Sequence, residues 1–296
     1  MVATETMQVS RGWRASLRLS ETSLHTWLLI PPLIVLLCAF AYPLLDLFLR
    51  SFSAPEGIFG HYFALLRDSV FLIALTNTLK FALITGVFTA VLGFPVALLI
   101  ASVRPTVAGI LLLLVMVPFW TSILVRSYAW IVLLGRNGIL NSLLLDIGLV
   151  NEPLALLFNS IGVSIGMIHV MLPYMILPIL SVMSRTNLDL LAAAESLGAN
   201  RWQVFWRVLL PLTLPGILGG FVLVFVLSLG FFVTPALLGG PRDLVAAMTI
   251  REKISLGLAW DEAAAASVIL LVLTSGTFLA CLRIFNLRRG MSWMFR

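Results

Sequence analysis

The sequence predicts an all-α integral membrane protein with about six transmembrane helices. Hydrophobic residues make up 60% of its 296 residues and charged residues only 11%. Soluble domains typically contain roughly 45–50% apolar and 25% charged residues. In addition, several apolar stretches are each long enough to cross a hydrocarbon core of about 30 Å as a helix. Lipid must therefore be the solvent for most of this chain.

The apolar stretches define the predicted organisation. They lie near residues 27–49, 76–101, 107–134, 155–183, 213–239 and 263–283. We predict an N-terminal segment 1–26, a transmembrane domain 27–285 with a loop at 184–212 between the fourth and fifth spans, and a tail 286–296. We expect the first apolar stretch to be retained as a helix, because no small-x-small cleavage site follows it.

Basic residues predict the orientation of these spans. With a cytoplasmic N-terminus, eleven arginines fall on the inner side against six basic residues outside, and an inner excess is the usual rule. The inner residues are Arg11, Arg14, Arg18, Arg104, Arg185, Arg201, Arg207, Arg283, Arg288, Arg289 and Arg296. The net charge of +6 is scattered over helix ends, which does not indicate nucleic-acid binding. Both termini are therefore expected in the cytoplasm.

Lys80, Arg126 and His169 are basic residues inside the predicted spans. Lys80 lies about one turn from the outer end of the predicted second span, so we expect it to snorkel to the interface. Arg126 is expected to lie at a helix interface or to snorkel, with a gate as the alternative role. His169 is expected to make a polar contact in the bundle rather than bind a metal. No metal-binding or catalytic residue is predicted, and Cys38 and Cys281 lie in separate apolar stretches.

Prolines mark the fifth span as irregular. The stretch 208–241 is free of charge, is longer than one straight span, and contains Pro211, Pro215 and Pro235. Because proline removes a backbone donor, we expect a bend at Pro211–Pro215 and a helix stop or kink at Pro235, near the outer end.

The loop 184–212 has the pattern helix, glycine break, helix. Thr186 or Asn187 is a predicted cap with Asp189 in the first turn, and Gly198 suits the left-handed residue that ends a helix. Asn200 is predicted to cap a second short helix that ends before Pro211. These features alone fit a docking element for another protein and an amphipathic turn on the membrane equally well.

The same loop resembles the cytoplasmic "EAA" loop of ABC importer permeases. That pattern is Glu-Ala-Ala, three residues, Gly, nine residues, Ile, one residue, Leu-Pro, and Ala193, Ala194, Gly198, Val208, Leu210 and Pro211 match it here. Ala192 replaces the glutamate of the pattern, and Glu195 follows three residues later. The resemblance implies that Ala193, Ala194, Glu195, Gly198 and Pro211 belong to a coupling helix and its flanks, which dock on a separate ATPase subunit.

Two further stretches resemble the spermidine/putrescine-type permeases. They are Pro118–Trp130 with Gly135–Gly138, and Phe232–Gly240. The resemblance implies a bacterial inner-membrane permease that works with two ATPase subunits, a second permease and a periplasmic binding protein. It also implies that ATP and Mg are bound by the ATPase, because this chain has no Gly-Lys-Ser/Thr phosphate loop of its own.

The resemblance favours a polyamine cargo, although its members also carry other amino compounds, opines, phosphonates and iron. Aromatic faces can bind an ammonium group, so five residues are candidates for the translocation path. They are Trp120, Tyr128, Trp130, Tyr174 and Phe232. Aromatic residues are also common interface anchors, which is the alternative role for each.

Two rival functions remain at the level of sequence. A secondary transporter usually carries intramembrane carboxylates or an inverted repeat, and neither is visible. A membrane-embedded enzyme would need a nucleophile with its base or a set of metal ligands, but His25, His61 and His169 lie in unrelated segments. The sequence therefore favours a transport subunit driven by the ATPase of a partner.

Overall fold

The computed structural model describes residues 29–55, 57–186 and 189–292, and these contain helices and no strand. The helices are α1 Leu29–Ser51, α2 Gly60–Arg67, α3 Ser69–Ser102, α4 Pro105–Trp120, α5 Ile123–Leu134, α6 Ile139–Asp146, α7 Ser160–Met183, α8 Asp189–Ser196, α9 Arg201–Val204, α10 Leu210–Leu229, α11 Val233–Leu238, α12 Ala246–Ser255 and α13 Trp260–Ser292. A π-helical turn, Phe205–Leu209, joins α9 to α10. The whole of the predicted N-terminal segment 1–26 and the end of the tail lie outside the described residues.

The prediction of an all-α membrane protein is confirmed. Six helical segments of the described chain are long and apolar enough to cross a membrane: Leu29–Ser51, Ser69–Ser102, Ile123–Asp146, Ser160–Met183, Arg201–Leu229 and Trp260–Ala280. The helix Pro105–Trp120 is apolar but shorter than these six. The number of spans thus agrees with the sequence, while several boundaries differ.

Three helices, α3, α7 and α10, form the centre of the bundle. Their buried residues make one core cluster that contains Ala97, Ile100, Met175, Ile176, Ile179 and Val224. Phe71 and Leu65 belong to a separate cluster, which joins α2 and the start of α3 to α13. The second, fourth and fifth spans therefore form the main core of the bundle.

Glycines allow these three helices to approach closely. A Cβ at Gly220 of α10 would lie 2.7 Å from the Met175 sulfur and 3.2 Å from the Met175 carbonyl oxygen. A Cβ at Gly216 would lie 2.9 Å from the carbonyl oxygen of Pro178. Small residues at helix interfaces permit this backbone contact in membranes. The α7–α10 interface is therefore set by main-chain atoms and cannot accept larger side chains.

The predicted third span, 107–134, is divided in the structure into α4 and α5. Thr121 and Ser122 adopt extended backbone conformations between them. Pro118 lacks a backbone donor, and the Thr121 hydroxyl donates to the Pro118 carbonyl oxygen at 2.8 Å, which caps the end of α4. The prediction of one continuous helix is wrong because a proline and a hydroxyl cap end α4 within an unbroken apolar stretch.

The fifth span also differs from its prediction. The second helix of the loop continues past Pro211 through the π-helical turn into α10, whereas a bend at Pro211–Pro215 was expected. In the π turn the Leu210 amide donates to the Phe205 carbonyl oxygen, five residues back. This wider turn directly precedes Pro211, whose missing N–H would interrupt a regular ladder. The helix then ends at Leu229, and Pro235 lies in the separate short helix α11.

We predict that Gly220→Leu destabilises the bundle, because its side chain would collide with Met175 backbone and side-chain atoms. Overpacking of this kind costs about 1–3 kcal/mol. Gly219→Leu is the matched control, since nothing lies within 4 Å of a Cβ at that neighbouring glycine. Thermal unfolding of the purified protein in detergent should give a lower Tm for Gly220→Leu alone. Equal Tm values for the two variants would contradict the proposed backbone contact.

Candidate functional site

The predicted coupling loop, residues 184–212, contains the short helix α8 followed by a tight turn. Gly198 has a φ of +89°, as predicted for the residue that ends this helix. The Gly198 amide donates to the Glu195 carbonyl oxygen at 2.9 Å and the Ala199 amide to the Ala194 carbonyl oxygen at 3.1 Å. This pair of bonds is a Schellman motif, which satisfies the last carbonyl groups of a helix. The end of α8 is therefore well defined.

The next helix begins directly after this turn. The Asn200 side chain accepts a hydrogen bond from the Gln203 amide at 2.8 Å, and the Asn200 amide donates to the Gln203 side-chain oxygen at 3.0 Å. This reciprocal capping box confirms the predicted cap at Asn200. Thr186 does not act as a cap, because its hydroxyl donates to the Val182 carbonyl oxygen in the preceding turn. Asn187, the other predicted cap, lies outside the described residues.

The loop presents a small and partly apolar surface. Ala193, Glu195 and Gly198 are exposed, Ala194 is half-buried, and Leu197 is 89% exposed. Pro211 is exposed on α10, well beyond this turn. A second protein can approach α8 closely along the alanines. Hydrogen bonds thus define the backbone of this turn, and most of the side chains around it are exposed.

Trp202 and Trp206 extend this open face beyond the turn. Trp202 is 70% exposed and Trp206 50% exposed, and their ring centroids are 5.6 Å apart. Phe205 contacts both tryptophans and packs edge-on against Phe94 of α3, at 5.8 Å between ring centroids. The aromatic group therefore joins the exposed loop to one of the three central helices.

The predicted path residues are not gathered in one place. Trp120, at the end of α4, is 73% exposed and Tyr128 of α5 is 59% exposed. Trp130 and Phe232 are half-buried and pack against the same core cluster around Phe81, Val163 and Leu238. Tyr174 is half-buried on α7. Only Trp120 and Tyr128 present largely open aromatic faces.

Trp130 makes the polar bundle contact predicted for His169. The Trp130 indole N–H donates to His169 Nδ1 at 3.2 Å, and this bond joins α5 to α7. Because Nδ1 accepts here, a neutral ring would carry its proton on Nε2. Arg126 lies one turn before Trp130 and interacts electrostatically with both His169 and Tyr174. Its Nε is buried without a hydrogen-bond partner in the described part of the chain.

The face of Phe232 is occupied by a cation of the chain itself. The Arg251 guanidinium carbon lies 5.9 Å from the ring centroid of Phe232, within the usual range of a cation–π contact. The Tyr174 ring packs at 5.5 Å from the ring of Phe119. These contacts cover part of the ring surface of Phe232 and Tyr174 that a cargo amine would need.

A buried carboxylate that sequence reasoning assigned no role organises the segment between α11 and α12. Asp243 is 6% exposed, accepts a hydrogen bond from the Ser160 hydroxyl, and accepts a second from the Gly240 amide at 3.0 Å. Asn77 of α3 donates to the carbonyl oxygens of Arg242 and Leu244 at 2.8 and 3.0 Å. The segment is therefore fixed to α3 and to the start of α7.

Lys80 belongs to the same neighbourhood. Its ammonium group lies 3.5 Å from the Ser160 hydroxyl oxygen. Since α3 begins at Ser69, Lys80 lies about three turns inside that helix, and its predicted position one turn from the helix end is wrong. The neighbouring polar residues Asn77 and Thr78 form hydrogen bonds with the backbone of the segment 242–246.

Comparison with known proteins identifies the family. The model of the binding-protein-dependent transport system inner membrane component matches residues 82–289. The chain belongs to this family. It is 39% identical over 197 residues to the spermidine/putrescine transport system permease protein PotB of Haemophilus influenzae, covering 67% of this chain and 69% of that protein. PotB of Escherichia coli is 35% identical over 207 residues, covering 70% and 75%.

A solved structure shows the same fold. A bacterial alginate ABC transporter in complex with an alginate pentasaccharide-bound periplasmic protein contains a chain that matches with a TM-score of 0.72. The match covers 88% of this chain and 93% of that chain at 22% sequence identity. The chain is thus a multi-pass permease subunit of an inner-membrane, binding-protein-dependent ABC importer, which confirms the resemblance drawn from the loop 184–212.

We predict that Asn200→Ala loosens the start of α9, because it removes the acceptor of the Gln203 amide. Loss of such a cap costs about 1 kcal/mol, so exchange of the Gln203 amide proton should accelerate roughly fivefold. Asn200→Ser, which keeps a side-chain oxygen at the cap, should stay near the native rate. Hydrogen–deuterium exchange measures both variants. Unchanged exchange in Asn200→Ala would show that the capping box does not hold this turn.

Proposed function

We propose that this chain forms half of the translocation path of an ABC importer. A second, similar permease would complete the path, two ATPase subunits would bind ATP and Mg on the cytoplasmic side, and a periplasmic binding protein would deliver the cargo. The observation that carries this proposal is the exposed turn at Gly198, which hydrogen bonds define at the end of α8 and the start of α9, on a chain of the importer family. The excess of inner arginines supports cytoplasmic termini.

The proposed mechanism is alternating access. ATP binding closes the ATPase pair, and the segment Ala193–Gly198 moves with it as a lever. Because α9, the π turn and α10 form one continuous helix, that movement is passed into the core of the bundle. The path then opens outward to accept cargo, and hydrolysis resets it.

A pull-down tests the composition of the complex. The tagged chain is extracted from its native membranes in a mild detergent, and the bound proteins are identified by mass spectrometry. We expect an ATPase subunit and a second permease to remain bound. Recovery of the chain alone, in a detergent that preserves a known ABC importer, would revive the secondary-carrier hypothesis. Transport abolished by ATP depletion but not by an uncoupler gives the same distinction functionally.

We propose a polyamine as the cargo. The supporting observation is that PotB proteins named for spermidine and putrescine transport match about two thirds of this chain or more. Trp120 and Tyr128 offer the open aromatic faces that an ammonium group requires. ATP-dependent uptake of labelled spermidine by the reconstituted importer, measured beside uptake of a labelled amino compound, an opine, a phosphonate and iron, tests this assignment. Uptake of one of these compounds without uptake of spermidine would replace the polyamine by that cargo.

Gly198→Asp should uncouple the importer while leaving membrane insertion intact. The variant adds bulk and charge at an exposed helix end, at a φ that only glycine and, less readily, asparagine or aspartate adopt. The matched control is Gly198→Asn, which has nearly the same size and backbone preference but no charge. We expect substrate-stimulated ATPase activity of the reconstituted complex to fall most in Gly198→Asp. Normal stimulation in that variant would argue against docking at this turn.

Trp120→Ala should raise the KM for spermidine uptake if the exposed indole lines the path. A cation–π contact of about 1 kcal/mol corresponds to roughly fivefold in KM, and Trp120→Phe should retain part of it. Uptake kinetics in cells with equal amounts of each variant in the membrane provide the measurement. An unchanged KM in Trp120→Ala would assign Trp120 to the alternative role of an interface anchor.

A further inference from the structure

Arg126 places a positive charge deep in the bundle. It is the fourth residue of α5, which belongs to the candidate span Ile123–Asp146. Its electrostatic neighbours are His169 and Tyr174 of α7. Both of these lie nine or more residues from either end of α7, which is about 13 Å at 1.5 Å per residue. Although Arg126 is close to the start of α5, it therefore lies too deep to snorkel as arginines near the ends of spans do.

No carboxylate of the described residues compensates this charge. Neither ion pair among them includes Arg126, and its Nε is buried without a hydrogen-bond partner in that part of the chain. Asp189 begins α8, six residues beyond the end of α7 at Met183, and is not among the electrostatic neighbours of Arg126. Charges inside a membrane are costly and are almost always paired. The counter-charge of Arg126 therefore lies outside the described residues.

The start of α5 adds a second positive feature at the same place. The first amides of a helix have no partner within it and form the positive end of its dipole. The N-cap residue Ser122 makes no side-chain hydrogen bond to these amides. Arg126 thus adds a cation to the helix end at which an anion is stabilising. One carboxylate next to this turn would compensate both the guanidinium and the amides.

This part of α5 is open to another chain. Leu124, Val125 and Tyr128, which flank Arg126, are 51%, 64% and 59% exposed. Arg126 itself is half-buried. A charged side chain that is partly open at this depth faces the interior of an assembly or a water-filled path rather than lipid. The chain that completes the assembly can therefore contact it.

The components of the proposed importer differ in whether they can supply the negative charge. A polyamine cargo is cationic, and an uncompensated Arg126 would repel it. The ATPase subunits and the periplasmic binding protein lie outside the bilayer. Lipid phosphates lie in the headgroup region rather than in the hydrocarbon core. The second permease is the component that packs beside this chain at the required depth.

We propose that a carboxylate side chain of the second permease pairs with Arg126 at the start of α5. The inference rests on the proposed function, in which two permeases enclose a path for a cationic cargo. The pair neutralises the guanidinium, so that a polyamine passes without repulsion. It also specifies how the two chains align, because sliding one along the other would leave a buried charge unpaired.

Crosslinking of Arg126→Lys tests the pair directly. The complex with the co-expressed second permease is treated with dicyclohexylcarbodiimide, which activates carboxyl groups in an apolar environment. The introduced amine attacks the activated carboxyl carbon, an amide bond forms, and dicyclohexylurea leaves. We expect a covalent heterodimer in which mass spectrometry finds residue 126 joined to an Asp or Glu of the second permease. Arg126→Gln, which has no amine, should give no such product.

The chain provides its own positive control for the reagent. Lys80 and Lys253 are its only lysines, and the Lys253 ammonium lies 2.8 Å from a carboxylate oxygen of Glu262. A link between Lys253 and Glu262 without any link from residue 126 would overturn the proposal. A link from residue 126 to a carboxylate of this same chain would also overturn it.

Dissociation of the two permeases gives a second measurement. Loss of one partner of a buried charge pair acts mainly on the dissociation rate, so Arg126→Gln should release the second permease roughly thirtyfold faster than the native chain does. Arg126→Lys keeps the charge and should stay closer to the native rate. Exchange against a labelled second permease in detergent measures the three rates. An unchanged rate in Arg126→Gln would contradict the pair.

Failure of this inference is distinguishable from failure of the proposed function. Recovery of the chain without a second permease from native membranes refutes the proposed composition. A complex of both permeases that gives no link from residue 126 refutes the pair alone. If Arg126→Gln raises the KM for an opine or a phosphonate and leaves dissociation unchanged, the negative group belongs to the cargo. Both the pair and the polyamine assignment are then wrong.

Discussion

The backbone contact between α7 and α10 is the constraint on which the rest of the structure depends. Gly216 packs directly on the backbone of Pro178 and Ile179, and Gly220 packs on the side chain and backbone of Met175. Lipid tails provide no hydrophobic driving force between apolar helices, so association relies on close packing. The glycines allow this close packing. Helix α3 packs against the same part of α7, where Gly93 lies next to Met175 and Ile176.

Around this core, two breaks between helices are held by side chains that satisfy backbone groups. The end of α4 is capped by the Thr121 hydroxyl, and the segment after α11 is held by Asp243, Asn77 and Thr78. Unsatisfied backbone groups are costly in a membrane, so non-helical segments need such partners.

Local signals in the sequence predicted the loop 184–212 well. Gly198 and Asn200 act within a few residues of themselves, through a left-handed turn and a capping box, so their roles can be read directly from residue type and spacing. The break at Thr121 was missed because apolar residues continue on both sides of it, although Pro118 and Thr121, which end α4, are local signals. Asp243 and Asn77 were missed for another reason. Their partners are distant in the chain, and only the folded bundle brings them together.

The start of the second span differs from its prediction. The predicted apolar stretch begins near residue 76, yet α3 starts at Ser69 with its cap at Asp68, so the apolar residues Val70–Leu75 belong to the same helix. The Asp68 side chain accepts a hydrogen bond from the Val70 amide, a local signal that was present in the sequence. The polar residues that follow it are tolerated because they bond to the segment 242–246 and to Ser160 rather than to water.

These contacts also give the proposed coupling a physical route. A movement of α8 passes through the Schellman turn and the capping box, where each bond is local and short, into a helix that continues to Leu229. That helix meets α7 backbone to backbone at Gly216, so it cannot shift without moving α7 or sliding along it. Helix α7 begins at Ser160, whose hydroxyl donates to Asp243. In the proposed mechanism, a displacement of α8 would therefore reach the segment between α11 and α12 through α10, α7 and one buried carboxylate.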